Sequence, residues 1–160
     1  MDNIEAENGS QTEGSAEQTE GSTEQAQDVD YSQSGGLSGR LVQLNCSVAI
    51  SSYQSGFLYN LGCDPKGGLH LHQAAMAKPM GLSYDGNGGL TMAGGSALVQ
   101  FKNVLAEGEQ INNTFDACFM PRHTYFTGGL DAHDIGIGTN GAPVFVNTRF
   151  NCLATVSEVH

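Results

Sequence analysis

The stretch "MGLSYDGNGGLTMAGGSALVQF", from Met80 to Phe101, decides the fold class of this chain. It reads as a strand, a Gly-Asn-Gly turn, a second strand, a short polar break and a third strand. A second stretch, "HDIGIGTNGAPVFVNTRFNCLA", from His133 to Ala154, aligns with it without a gap at a constant spacing of 53 residues. Short strands separated by Gly, Asn and Asp turns are typical of all-β proteins. The chain therefore contains an internal repeat of β-structure.

Short apolar runs separated by turn residues also occur in the rest of the chain. Three further apolar runs precede the repeat: "CSVAISS", "GFLYNLGC" and "GLHLHQ". A fourth run, "DACFMPR", lies between the two copies of the repeat. Four-stranded antiparallel units repeated along a chain form β-propellers, whose repeats usually span about 40–50 residues. We predict an all-β partial β-propeller of two to three blades, with a loop insertion near "EGEQINNT". A β-sandwich or another sheet arrangement is the alternative.

Three local predictions accompany this fold. The Asn-Gly steps in "GNG" and "TNG" favour tight hairpin turns of the primed type, in which both central residues have positive φ. The segment "DPKGG" from Asp64 to Gly68 predicts another hairpin. The segment "HQAAMAK" predicts a turn of helix, because Ala and Met favour helices, and Pro79 would end it.

The first 36 residues differ from the rest in composition. They contain nine acidic residues and no Lys or Arg, within a chain of net charge −11. Almost nothing in them is apolar, so ordering them would cost conformational entropy with no burial to offset it. We predict that residues 1–36 form a disordered acidic tail that ends in the Gly/Ser-rich hinge "SQSGGLSG". Residues 37–160 would then form the propeller-like domain.

A propeller ring needs about four to eight blades to close. The predicted strands supply parts of three blades, and the last part lacks a fourth strand. An unclosed array would leave a blade face and strand edges exposed. We therefore expect this chain to be the N-terminal part of a longer polypeptide.

The cysteines and basic residues restrict the function classes. No Cys-x-x-Cys pair is present, which argues against zinc, and we expect free thiols. The surroundings of Cys46, Cys118 and Cys152 are apolar, which suits buried core positions. The six basic residues are dispersed, so we expect no binding of nucleic acid. No run approaches the about 20 apolar residues of a membrane span, and no export signal is evident, so we expect no membrane partner and a cytoplasmic protein.

The segment "LDAHDIGIG" carries the main candidate site. Alternation along an extended strand would place Asp131 and His133 on one side and Asp134 on the other. In the predicted register this is an inner strand, whose start borders the central channel. Asp131, His133 and Asp134 could act in catalysis, and Asp131 and His133 could hold a divalent metal ion. The structural alternative is that His133 bonds to neighbouring backbone while Asp134 caps the turn.

Two further segments carry candidate side chains. In "LHLH", His70 and His72 share a face and could chelate a metal ion, although Leu69 and Leu71 facing the core would leave both imidazoles on a solvated side. In "MPRHTYF", Arg122 and Tyr125 could bind a carboxylate or phosphate beside an aromatic ring. The alternative is that the aromatic rings pack between blades while Arg122 pairs with an acid such as Asp131.

A resemblance adds to this interpretation. The segments "SVAISSYQSGFLYNLG", "KPMGLSYDGNGGLTMA", "FMPRHTYFTGGLDAHDIGIG" and "VFVNTRFNCLATVSEVH" resemble a family of uncharacterised bacterial proteins with a domain of unknown function and a propeller-like fold. The resemblance covers about Leu41 to His160. It implies an Asp-x-His-Asp motif where "DAHD" stands, and a chain that continues beyond His160. It implies no activity.

These observations predict a binding or scaffold module that engages a small ligand or a protein through its central face. No nucleophile elbow, phosphate-binding loop or His-Glu-x-x-His motif is present in the sequence. The alternative is a metal-assisted hydrolase or lactonase-like propeller enzyme with Asp131, His133 and Asp134 at the channel mouth. A divalent metal ion is the cofactor that this alternative would need.

Overall fold

The computed structural model describes residues 30–64 and 66–157, and these residues form a mostly β structure. The predicted acidic tail falls mainly on residues 1–29, outside the described part. The described residues contain one α-helix, one 3₁₀ helix and ten strands: α1 (Leu37–Leu44), β1 (Val48–Ser52), β2 (Phe57–Cys63), β3 (Leu69–Ala75), β4 (Leu82–Tyr84), β5 (Gly89–Ala93), β6 (Ala97–Asn103), β7 (Phe119–Phe126), β8 (Ala132–Ile137), β9 (Pro143–Asn147), the 3₁₀ helix (Thr148–Phe150) and β10 (Cys152–Thr155).

The strands form three small antiparallel sheets, and each sheet is a meander of consecutive strands. The first sheet has the order β1-β2-β3, the middle sheet β4-β5-β6-β7, and the third sheet β8-β9-β10. Every strand that the sequence predicted lies within a strand of these sheets or overlaps one. The coarse prediction of an all-β chain made of short antiparallel units is therefore confirmed.

The middle sheet is covered on both faces. Side chains alternate along β5, so Leu90 and Met92 point one way and Ala93 the other. Leu90 and Met92 form a core cluster with Leu58 of the first sheet. Ala93 forms a second cluster with Ile135 and other residues of the third sheet. All five residues of β5 are consequently buried.

Residues that are equivalent in the 53-residue sequence repeat also occupy equivalent positions in the packing between sheets. Leu82, Met92 and Phe101 of the middle sheet belong to the cluster shared with the first sheet. The residues 53 positions later, Ile135, Phe145 and Ala154, belong to the cluster shared with the middle sheet. Equivalent residues therefore face the preceding sheet in both cases, and the sequence repeat is also a repeat of inter-sheet packing.

The hairpin turns differ from the predicted primed type. In these two turns, positive φ values occur at Gly86 (+75°), Gly88 (+72°) and Gly141 (+80°), while Asn87 and Asn140 lie outside that region. The turn at 138–142 has a Gly141 N–H to Gly138 carbonyl bond of 2.9 Å. This pattern is a three-residue loop that ends in a left-handed glycine. The glycine after Asn supplies the left-handed conformation, so Asn need not adopt it.

The predicted helical turn after β2 was wrong, and the helix before β1 was not predicted. The segment "HQAAMAK" lies largely in β3, where Gln73 pairs with Tyr59 and Ala75 with Phe57; strand pairing overrides the local helix preference. The predicted hinge instead leads into α1. Leu41 of α1 is buried, and Asn45 ends the helix with a left-handed φ of 47°, a common helix C-cap.

The cysteine environments were also predicted incorrectly. Cys46 and Cys152 are exposed, and Cys118 is half-buried, because these residues lie at the ends of strands or outside them. All four cysteines, including Cys63, are free thiols in the structure. In the described part of the chain, no helix has both the length and the apolar character needed to cross a membrane.

Candidate functional site

A bulge at the start of β8 forms the candidate site. Ala132 pairs with Asn147 and Ile135 with Phe145, so three steps along β8 face two steps along β9. The extra residue interrupts the alternation of side chains. Both residues of the bulge, His133 and Asp134, are exposed. Bulges commonly re-aim side chains at the ends of sheets.

Asp131 lies outside β8 and turns the chain into it. Its φ is +49°, a left-handed conformation that Asp tolerates better than most residues. The Asp131 carbonyl accepts a hydrogen bond from the Thr148 N–H at 3.4 Å, and the Leu130 carbonyl accepts one from the Arg149 N–H at 3.2 Å. The expectation that Asp131 and His133 share one side of a regular strand is therefore wrong.

The side chains of the bulge make few contacts. The Asp134 carboxylate accepts a hydrogen bond from the Ile135 backbone N–H at 2.8 Å, so this acid does bond to the backbone as the structural alternative expected. Within the described residues, the side chains of Asp131 and His133 have no hydrogen bond or ion pair. The same residues contain no group of three or more His, Cys, Asp or Glu side chains that could hold a metal ion.

Close packing of two strands fixes the position of the bulge. A Cβ atom on Gly81, just before β4, would lie 2.6 Å from the Asp134 Cα and 2.7 Å from the Ile135 backbone nitrogen. Only glycine allows the backbones to approach so closely. The bulge also borders a shallow depression of about 310 Å³ on the third sheet, whose other lining side chains include Val144, Val146 and Leu153.

The two histidines of β3, His70 and His72, lie on the opposite face of the sheet from the one predicted. His70 pairs with Gly62 and His72 with Asn60, on the face that Leu58 turns toward the middle sheet. The predicted assignment of faces was wrong, because Leu71 points outward and is 42% exposed. The His70 ring contacts Phe115 edge-on, with 5.5 Å between ring centroids, so His70 is half-buried, while His72 is exposed.

Two hairpin carboxylates have a defined electrostatic environment. Asp64 accepts backbone hydrogen bonds from Gly68 (3.0 Å) and Lys66 (2.7 Å), and its Oδ2 lies 3.3 Å from His70 Nε2. Hydrogen bonds from the Gly68 and then the Lys66 backbone lower the pKa of Asp64, and His70 adds to this. A hydrogen bond to the ionised form favours that form.

Asp85 repeats this arrangement in the next hairpin. It accepts backbone hydrogen bonds from Asn87 (2.7 Å) and Gly89 (2.8 Å), and Lys102 Nζ lies 3.5 Å from its Oδ2. The hydrogen bond from the Asn87 backbone is the main cause that lowers the pKa of Asp85. A Cβ on Gly89 would lie 2.1 Å from a carboxylate oxygen of Asp85. Sequence analysis missed both carboxylates, although the shared Asp-x-x-x-Gly pattern marks them.

Arg122 and Tyr125 lie on β7, the edge strand of the middle sheet. Tyr125 pairs with Leu98 and packs against the cluster between the middle and third sheets. This packing agrees with the alternative that gave the aromatic side chains a structural role. Arg122 is exposed, and no ion pair with Asp131 forms among the described residues.

An open acidic cleft was not predicted. It has a volume of about 900 Å³, and its lining includes Tyr84, Glu107, Glu109 and Asp116. The Glu109 carboxylate accepts a hydrogen bond from the Ala106 N–H at 2.9 Å, and the Tyr84 hydroxyl accepts one from the Gly88 N–H at 3.1 Å. Sequence analysis missed the cleft because its residues come from three stretches of the chain that only folding brings together.

Three stacked antiparallel meanders, two of which share a 53-residue repeat, define a β-rich chain of small sheets. The chain belongs to the family described as a domain of unknown function (DUF4915), which matches residues 36–160. This confirms the resemblance to a family with a domain of unknown function. The match includes α1 as well as all ten strands. Comparisons with curated proteins and with solved structures find no match.

Proposed function

We propose that this chain is a propeller-like binding module that engages a small ligand or a protein through the face lined by β4 and β8. In this proposal the three meanders are consecutive blades of a ring, and residues 37–160 form part of it. Support comes from the order of the strands, from face-to-face packing of the sheets, and from the contacts of β8 with β4 and β5.

The bulge of β8 is the observation that carries the proposal. It presents the exposed side chains of His133 and Asp134 to solvent beside the junction of two sheets, and the exposed Asp131 directly precedes β8 in the chain. Exposed polar groups that stand without side-chain partners among the described residues are available to a ligand. Carboxylates and an imidazole suit a ligand that carries hydrogen-bond donors or a positive charge.

The alternative of a metal-assisted hydrolase or lactonase-like enzyme also uses Asp131, His133 and Asp134. No contact in the described part of the chain favours it over binding. Asp134 makes a hydrogen bond to the backbone, and Arg122 and Tyr125 do not join the bulge. We therefore place the bulge residues in ligand recognition and assign them no catalytic step.

An NMR screen of the full chain would test the binding proposal. The probes are a library of small amines, amides and sugars, together with Mn²⁺ and Zn²⁺ as separate samples. We expect at least one probe to shift the amide signals of residues 131–135. His133→Ala should weaken that probe by at least about tenfold, the equivalent of one lost charge-assisted hydrogen bond.

The matched control is His72→Ala, because His72 is also an exposed histidine on a strand. It should leave the binding unchanged. Equal binding by wild type and His133→Ala, or signals that shift only around the acidic cleft, would contradict the proposal.

A further inference from the structure

Two cysteines lie at the open end of the β1–β2 hairpin in the first sheet. Cys46 lies two residues before β1, and Cys63 is the last residue of β2. The register of these antiparallel strands pairs Val48 with Leu61. Continuing this register by two residues places Cys46 opposite Cys63.

The contact between Ser47 and Gly62 supports the continued register. The register places these two residues opposite each other, one step before the cysteines. A Cβ atom on Gly62 would lie 3.0 Å from the Ser47 Oγ and 3.8 Å from the Ser47 Cβ. Side chains at opposite positions on one face of an antiparallel pair are close neighbours. The chain before β1 therefore still runs alongside β2.

The spacing of opposite positions suits a disulfide. The Cα atoms of directly opposite residues in an antiparallel pair are about 4.5–5.5 Å apart, and disulfides join Cα atoms about 4.4–6.8 Å apart. Side chains alternate along β2, so Cys63 shares a face with Tyr59. In the continued register Cys46 lies on that same face. Both cysteines are free thiols in the structure.

The helix α1 is bonded to both cysteines. The Cys63 thiol donates a hydrogen bond to the Ser38 carbonyl at 3.5 Å, and the Cys46 backbone N–H donates one to the Leu41 carbonyl at 3.2 Å. Cys46 is exposed, whereas Cys63 is half-buried. A small oxidant can therefore reach Cys46, and Cys63 is placed as the second, resolving thiol.

The geometry points to a redox-sensitive pair: Cys46 and Cys63 form a reversible disulfide that links the chain before β1 to the end of β2. This disulfide closes a loop that contains the whole β1–β2 hairpin, and closing a loop restricts the unfolded chain. Oxidation also removes the thiol proton that Cys63 donates to Ser38. The redox state of the pair therefore changes how α1 is attached to the first sheet.

A small-molecule disulfide such as oxidised glutathione serves as the oxidant. The thiolate of one cysteine attacks a sulfur of the small disulfide, forms a mixed disulfide and releases one small thiol. The other cysteine attacks the protein sulfur of that mixed disulfide, so that the bond between Cys46 and Cys63 forms and the second small thiol leaves. The two cysteines lose two electrons and two protons, and the two small thiols carry both away.

Redox titration of the full chain with mixtures of oxidised and reduced glutathione would test the inference. The variant Cys118→Ser, Cys152→Ser keeps Cys46 and Cys63 as its only cysteines. Alkylation of free thiols followed by mass spectrometry measures the fraction of disulfide. Folded protein should reach half oxidation at a ratio of oxidised to reduced glutathione at least about tenfold lower than the same variant in denaturing urea, because the fold holds the two cysteines opposite each other.

The control is the reciprocal variant Cys46→Ser, Cys63→Ser. It keeps Cys118, which directly precedes β7, and Cys152, which begins β10 of another sheet, so it should form only mixed disulfides with glutathione. In oxidised wild type, peptide mapping should find the disulfide between Cys46 and Cys63. Half oxidation at the same ratio in folded and urea-unfolded protein would overturn the inference, as would a wild type that forms only mixed disulfides or joins other cysteines.

Discussion

The middle and third sheets are built from the same repeated sequence but differ in how they are covered. The middle sheet packs on both faces, and its strand β5 is buried throughout. The third sheet packs on one face through Ile135 and Phe145, while Leu153 is 72% exposed on the other. Equivalent strands can therefore have different burial, because burial depends on the neighbouring sheet as well as on the strand sequence.

The largest expected effect comes from a matched pair of leucines. Leu98 has no exposed surface, and Leu153 is 72% exposed. Leu98→Ala should lower the free energy of unfolding by about 2–5 kcal/mol, because it removes packed methyl groups and leaves a cavity. Leu153→Ala should change the stability of the monomer by less than about 0.5 kcal/mol.

Urea denaturation at low protein concentration measures both values. Similar losses in the two variants would mean that the two sheets do not differ in coverage.

A pair of glycines tests the junction between the two sheets. Gly81→Ala places a methyl group against the backbone of Asp134 and Ile135. Overpacking of this kind typically costs about 1–3 kcal/mol. The control is Gly136→Ala in β8, where a Cβ would meet no atom within 4 Å.

The same denaturation experiment should show a loss for Gly81→Ala and none for Gly136→Ala. A neutral Gly81→Ala would show that β4 and β8 are further apart than in the structure.

The acid dependence of stability should be smaller than these effects and should involve the first and middle sheets. The pKa values of Asp64 and Asp85 are lowered in the folded state. Their contribution is therefore present above the unfolded-state pKa, which is about 4. It is lost as the pH falls through the lower folded-state pKa.

The double variant Asp64→Asn, Asp85→Asn keeps a side-chain oxygen as acceptor but cannot titrate. Thermal melts between about pH 6 and 2 should show a weaker acid dependence for the variant than for wild type. Parallel curves would indicate that other carboxylates cause the acid dependence.

The smallest expected effect concerns an ion pair at the surface of the middle sheet. Lys102 Nζ lies 3.5 Å from Asp85, and both side chains are partly exposed. Lys102→Met should therefore change stability by at most about 1 kcal/mol. Added salt should reduce the difference between variant and wild type, because salt screens exposed charges. A larger loss that salt does not change would indicate that Lys102 acts through packing.

The sequence was sufficient to predict the strands but not their environment. Alternation of apolar residues and the 53-residue spacing located Met92 and Phe145 in equivalent strands, because both signals can be seen in the sequence without knowing which sheets pack together. The outward direction of Leu71 could not be predicted, since alternation alone does not say which face a neighbouring sheet covers. Short segments such as "HQAAMAK" were misassigned because strand pairing outweighs a weak helix propensity.

The candidate site was predicted in its residues but not in its geometry. The residues Asp131, His133 and Asp134 stand out because polar side chains open an otherwise apolar strand. The bulge and the left-handed Asp131 depend on pairing between Ala132 and Asn147, which the sequence does not encode in a recognisable motif. The acidic cleft and the turns of Asp64 and Asp85 depend likewise on contacts formed on folding.

The central claim is that the three sheets stack in the order of the chain, with the middle sheet between the other two. Methyl NOE spectroscopy of the monomer tests this claim most directly. The Met92 methyl group should show cross-peaks to Leu58, and the Ala93 methyl group should show cross-peaks to Ile135. Cross-peaks from Met92 and Ala93 to the same neighbouring sheet, or the absence of cross-peaks between Ala93 and Ile135, would contradict it.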